Sequence, residues 1–152
     1  MKIYADADSM PNVIKDILYR ASDRTGIPLI LIANQNLNIP QSDNISNIVV
    51  MSGPDAADDR IVELIQHGDL VITADIPLAD RVISSGGCAI DPRGILYSAD
   101  NIKEKLAVRD LMNELRTEGS AFGGPGIFRQ KDRQAFANQL DKFLSLKCKK
   151  SG

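Results

Sequence analysis

Aspartates gather where strands are expected to end. Asp6-Ala7-Asp8 closes the first strand pattern, and Asp75 follows the run Leu70-Val71-Ile72-Thr73-Ala74. Asp58 and Asp59 open a helix pattern between those strands, and Asp80 follows Asp75 by one turn. Carboxylates brought together repel one another and raise each other's pKa, and a bound cation relieves this. Mg²⁺ or Mn²⁺ takes oxygen ligands in octahedral geometry and keeps waters of its own, so a few carboxylates suffice. One such ion activates water for in-line attack on phosphorus, and a second steadies the leaving oxygen. The candidate ligands are Asp6, Asp8, Asp58, Asp59, Asp75 and Asp80. Asp6, Asp58, Asp59 and Asp75 are the candidate catalytic acids, and the Thr73 hydroxyl is a candidate substrate contact.

Every one of these acids also has a plain structural role open to it. Asp8 can cap the first helix, Asp58 and Asp59 suit a helix N-terminus, and Asp80 can pair with an exposed Arg. The choice between Asp6 and Asp8, and between Asp58 and Asp59, stays open in the sequence.

The elements that must position these acids follow from punctuation and period. Residues 2–6 read as a strand, Ser9 as an N-cap and Pro11 as a first-turn residue, followed by Val13, Ile14, Ile17, Leu18 and Ala21 at helical spacing. Gly26 stops that helix, and Leu29–Ala33 is a continuous apolar run, as in a strand covered on both faces. A short strand is expected over Ile48–Met51. Gly53-Pro54 precedes a helix carrying Ile61, Val62, Leu64 and Ile65, ended by Gly68. Strand 70–74, a short helix from Pro77 to Ser84 and a strand at Cys88–Ile90 follow, and Asp91-Pro92-Arg93-Gly94 reads as a turn. A long helix carries Ile102, Leu106, Leu111, Met112 and Leu115, and a final one carries Phe136, Leu140, Phe143 and Leu144. Strands alternating with helices predict an α/β fold: three layers, with a mostly parallel central sheet and helices on both faces. In such sheets ligands sit beyond the carboxyl ends of the strands at the switch point, which is where this reading puts Asp6 and Asp75.

Composition limits the remaining options. The 152 residues are 43% hydrophobic, enough for a single domain over 1–152 with a helical C-terminal part at about 98–146. No apolar run approaches the ~20 residues of a membrane span, and the chain enters a strand at once, so neither a membrane helix nor a signal peptide is expected. Cys88 and Cys148 have no metal-ligand spacing and fit a reducing cytoplasm. The net charge is −2, but the basic residues concentrate after Asn101, an arrangement that suits an acidic site acting on a polyanion. Arg129, Lys131 and Arg133, after the Gly123-Gly124-Pro125-Gly126 loop, are candidate phosphate contacts, though the loop lacks the Gly-Lys-Ser/Thr ending of a P-loop. Arg109 and Arg116 share a helix face. His67, the one histidine, reads as a helix-end residue rather than a base.

Long stretches also resemble a known family. Asp6-Ala7-Asp8 with Pro11, Gly53-Pro54-Asp55-Ala56-Ala57-Asp58-Asp59-Arg60, Thr73-Ala74-Asp75-Ile76-Pro77-Leu78-Ala79, Asp91-Pro92-Arg93-Gly94 and Arg109-Asp110-Leu111-Met112 resemble the YaiI/YqxD family of uncharacterised bacterial proteins. That family is similar in turn to PIN-like nucleases, in which acids after the first strand, on a middle helix and at a later strand end bind Mg²⁺ or Mn²⁺. The resemblance implies a PIN-like domain hydrolysing phosphodiester bonds of nucleic acid, with RNA or single strands favoured and the oligomeric state open. Two alternatives remain. One is a non-catalytic module that binds nucleic acid or a protein partner and keeps a vestigial metal site. The other is a haloacid-dehalogenase-type phosphatase suggested by Asp6-x-Asp8, which the immediate helix at Pro11 and the lack of a placed Lys disfavour.

Overall fold

The computed structural model describes residues 1–8, 10–51, 55–117 and 128–150, with side chains throughout except at 116–117 and 147–150. Ser9, Gly53, Pro54, the Gly123–Gly126 loop and the side chains of Arg116, Cys148 and the terminal lysines lie outside the described residues.

Six strands form one sheet: β1 (Ile3–Asp6), β2 (Leu29–Ala33), β3 (Ile45–Val49), β4 (Leu70–Ile72), β5 (Cys88–Ile90) and β6 (Leu96–Tyr97). The order is β3-β2-β1-β4-β5-β6. The first five strands run parallel, and β6 returns antiparallel along β5. Five helices complete the order: α1 (Asn12–Thr25), α2 (Ala56–Leu64), α3 (Ile76–Ser84), α4 (Ile102–Thr117) and α5 (Gln130–Lys150). This is the expected three-layer α/β architecture.

Alternation along the strands sets the two faces. Ile3 and Ala5 of β1, Leu29 and Leu31 of β2, and Leu70 and Ile72 of β4 pack with Ile14 and Leu18 of α1 and Phe136 and Leu140 of α5. Tyr4, Ile32, Val71 and Ala89 point the other way, against Ile61 of α2, Leu78 and Val82 of α3 and Ile102 of α4. Each fully buried Leu or Ile contributes about 1.5–3 kcal/mol of transfer free energy, so both layers are held chiefly by burial. No buried side-chain nitrogen or oxygen among the described residues lacks a hydrogen bond.

Several boundaries differ from the sequence reading. The third strand is Ile45–Val49, earlier than Ile48–Met51. Its register on β2, Leu29 to Ile45 through Ala33 to Val49, is set by pairing, which a short apolar run does not reveal. α1 starts at Asn12 with Pro11 as an extended N-cap residue (φ −60°, ψ 145°). α2 ends at Leu64, so exposed His67 sits in the following turn rather than in a helix. β6 was not expected, because two residues carry no readable period.

Gly94 fixes the C-terminal helix to this frame. It adopts φ +94°, and a Cβ there would lie 2.7 Å from the carbonyl carbon and oxygen of Ala135 in α5. The neighbouring Arg93 guanidinium pairs with Asp132 of α5 at 2.9 Å, partly shielded from solvent. Gly26, the αL cap of α1, also has positive φ (+74°), but nothing lies within 4 Å of its would-be Cβ. Gly94→Ala is therefore expected to lower thermal stability more than Gly26→Ala. Each pays a backbone strain of about 1–3 kcal/mol, and only Gly94→Ala also pushes α5 away. Paired thermal melts followed by circular dichroism check this, and equal losses would refute the contact.

Candidate functional site

The chain adds β2 and β3 on one side of β1, and β4 and β5 on the other, so the switch point lies between β1 and β4. Parallel pairing of Tyr4 with Val71 and Ala5 with Ile72 brings the next residues, Asp6 and Thr73, side by side at the carboxyl edge. Tyr4 and Val71 face α2 and α3, and two-residue periodicity sends Asp6 and Thr73 to that same face.

Thr73 ties two acids into one unit. Its buried hydroxyl donates to Asp6 Oδ2 at 3.3 Å, and Thr73 Oγ1 in turn accepts the Asp75 N–H at 3.0 Å. Asp75 is the N-cap of α3, and its Oδ1 accepts the Leu78 N–H at 3.0 Å. Pro77, within the first turn, gives up an N–H that would have had no helical partner. Asp58 arrives from α2, in the first turn behind Asp55, near the positive end of the helix dipole.

The electrostatics record how closely these acids crowd. Burial lifts the Asp6 carboxyl above its ordinary pKa, and the Thr73 hydrogen bond opposes this while Asp75 and Asp8 add repulsion. Asp58 rises to about 7, first through burial, then through repulsion by Asp75 and Asp6 and a hydrogen bond shared with the Asp75 carboxyl. The charges of Asp6 and Asp75 thus both act on Asp58 at this edge.

The other predicted acids are held differently. Asp8 is exposed in the turn after β1, and its carboxylate accepts the Asn34 N–H at 2.9 Å, although its charge still acts on Asp6. It lies in the turn after β1 rather than in the strand itself. Asp59 pairs with Arg81 of α3 at 3.0 Å, and Asp80 with Lys103 of α4 at 3.2 Å. Of the Asp58–Asp59 pair, it is Asp58 that faces the cluster. Arg129, Lys131 and Arg133 lie exposed around the start of α5, and their charges are not among those acting on Asp6 or Asp58. Among the described residues, no three His, Cys, Asp or Glu side chains stand close enough to form a ready-made metal cage. The donors of Asp6, Asp58 and Asp75 are nonetheless all hard oxygens whose mutual repulsion a divalent cation would neutralise, so their chemistry fits Mg²⁺ or Mn²⁺.

One residue in the same row escaped the sequence reading. Asp91 follows β5 as Asp6 ends β1, and it is buried. It accepts the Arg93 N–H at 2.6 Å and the Tyr97 hydroxyl at 3.4 Å. The rule that singled out Asp6 and Asp75 applies equally to Asp91, but its Pro-Arg-Gly continuation read as a turn.

A mostly parallel six-stranded sheet with helices on both faces and acids at its carboxyl edge defines a three-layer α/β protein. Residues 4–146 match the profile described as "Uncharacterized BCR, YaiI/YqxD family", and the chain belongs to that family. It is 54% identical over 145 residues to a UPF0178 protein of Syntrophotalea carbinolica, spanning 95% of this chain and 98% of that one. The UPF0178 protein ECA0873 of Pectobacterium atrosepticum is 52% identical over 144 residues, spanning 95% and 96%. A UPF0178 protein of Yersinia pestis is 53% identical over 144 residues, spanning 95% of each. No solved structure matches the chain significantly. No helix among the described residues is long and apolar enough to cross a membrane.

The raised pKa of Asp58 gives stability a definite pH slope. In the unfolded chain Asp58 titrates near the ordinary ~3.9, and in the fold near 7. Between these values the native state holds the extra proton, so its stabilising contribution is full at low pH and is lost as pH rises toward 7. In EDTA, Asp58→Asn should unfold at higher denaturant than the native sequence at pH 8, and the difference should shrink as pH falls, vanishing only near the unfolded pKa of ~3.9. A variant no more stable at pH 8 than at pH 5, relative to the native sequence, would contradict the coupling.

Proposed function

We propose that the protein is a divalent-metal-dependent phosphodiester hydrolase acting on nucleic acid, with RNA or single strands the favoured substrate. The observation that carries this reading is the convergence of Asp6, Asp58 and Asp75 at the switch point with too little positive charge beside them. The resemblance to PIN-like nucleases, whose acids stand at the corresponding strand ends and middle helix, supports it. Asp6, Asp58 and Asp75 would hold Mg²⁺ or Mn²⁺, with Asp8 nearby as a further negative charge. Such a cation supplies activated water and neutralises charge on the phosphoryl oxygens.

The chain's own groups have separate tasks. Asp6 is held by the Thr73 hydroxyl and Asp75 by the α3 N-terminus, so two of the three acids have fixed partners before binding. Asp58, whose proton is held up to about pH 7, is the acid whose charge state responds to loading of the site. Asp59 and Asp80 are assigned ion-pair roles on α3 and α4 and no part in the chemistry.

Asp75→Asn tests this cleanly, because Asn also caps helices well and so preserves α3. It is expected to reduce Mn²⁺-dependent cleavage of single-stranded RNA by about a hundredfold or more, beyond the ~10–100-fold typical of losing an outer partner of a metal ligand. Asp59→Asn and Asp80→Asn, which break only exposed pairs, should leave the rate within about threefold. A folded native protein that cuts neither RNA nor DNA with Mg²⁺ or Mn²⁺ ends the proposal.

A further inference from the structure

A cavity of about 400 Å³ opens on the carboxyl edge directly beside the acids. Ala74 and Ile76, the chain neighbours of Asp75, line it, so its mouth and the acidic group share one stretch of backbone. Its size falls in the ~300–1,000 Å³ range of small-molecule sites. Most of its walls are apolar, and Phe128 contributes an aromatic ring.

Its polar groups are few and localised. Asp91 and Tyr97, hydrogen-bonded to one another, provide a buried acceptor and a hydroxyl. Arg93 sits 5.7 Å from the centroid of the Phe128 ring, with its guanidinium also paired to Asp132. Lys105 brings an ammonium from α4. An aromatic face, a buried acceptor and an ammonium at the side suit a flat heteroaromatic ring carrying a phosphate. They suit a simple inorganic anion poorly, because Asp91 and Asp132 already stand near Arg93.

We propose that the cavity between the Asp91–Gly94 turn, Phe128 and Lys105 is a nucleotide subsite. In it the base of the residue flanking the scissile phosphate lies against Phe128, with Lys105 on the phosphate side. The role of that flanking nucleotide rests on the nuclease reading, whereas recognition of a base by the cavity does not. Docking of α5 through Gly94 and the Arg93–Asp132 pair then becomes part of substrate binding, since it sets Phe128 and Arg93 in place.

The test is calorimetric binding of adenosine 5′-monophosphate and of ribose 5-phosphate to the full chain in EDTA, with thermal melts confirming that each variant folds. The nucleotide should bind at least about fivefold tighter than ribose 5-phosphate, the low end of what stacking of one base contributes. Phe128→Leu, which keeps an apolar side chain but removes the ring, should weaken nucleotide binding by a similar factor and leave ribose 5-phosphate unaffected. Lys105→Gln should weaken both phosphate-bearing probes, and Asp59→Asn, at an exposed pair outside the cavity, should weaken neither. Backbone amide shifts on nucleotide addition should centre on Ala74, Asp91 and Lys105. Equal binding of the two probes, an unchanged Phe128→Leu, or shifts centred elsewhere would overturn the subsite. RNA cleavage by the same preparations separates the two readings. A nuclease whose nucleotide binding ignores Phe128 retains the function and loses the subsite. Base-dependent binding without any cleavage retains the cavity as a nucleotide site and loses the nuclease.

Discussion

Thr73 sits at the one place where the chain must hold like charges together. Its hydroxyl donates to Asp6 and accepts from the Asp75 backbone, so a single oxygen joins the end of β1 to the start of α3. Asp6 stands at the end of β1, and the Asp75 carboxylate is held separately by the Leu78 N–H at the start of α3. Their separation is set by sheet pairing and a helix cap rather than by their own preference. Asp58 then approaches from α2 into a field already negative, and its carboxyl keeps its proton to about pH 7. Local instability is concentrated in a few side chains, while two hydrophobic layers support the frame around them.

That frame explains what was readable in advance. Leu29–Ala33 and Leu70–Ile72 are apolar at every position because both faces are covered, and the helices carry their apolar residues at the right period. The parallel direction of the strands follows from alternation of strand and helix, so Asp6 and Asp75 are legible as carboxyl-edge residues, while the strand order emerges only in the fold. The Asp58–Asp59 choice is not legible. Adjacent residues on a helix point about 100° apart, and which one faces the sheet depends on how α2 rolls onto β1, a packing outcome invisible to spacing. Asp80 illustrates the same limit, since only the placement of α4 shows that Lys103 claims it.

Asp91 is masked in the sequence for a different reason. Pro92 and Gly94 signal a turn so strongly that the acid before them looked like turn chemistry, and indeed Asp91 accepts the Arg93 N–H as such turns do. The two descriptions are compatible: a residue can organise its turn and still face a cavity. Tyr97, in a strand of two residues, gave no periodic signal at all. Asp69 is the converse case, a buried acid whose oxygens are occupied by the backbone N–H groups of Lys2 and Gln66 at the amino edge of the sheet. Burial of a carboxylate alone therefore does not distinguish chemistry from architecture in this fold.

The two margins of the sheet are finished in unlike ways. At one, β6 is a two-residue antiparallel return, too short to template a further strand. At the other, β3 is five residues long with Val49 half exposed. Asn47 turns its amide inward there, donating to the Leu31 carbonyl and accepting the Leu37 N–H, and so pins the connecting loop beside the strand. An unpaired strand edge is a place where a second polypeptide can add itself by backbone hydrogen bonding. Self-association by strand addition in this molecule should accordingly be asymmetric, favouring the β3 margin over the β6 margin.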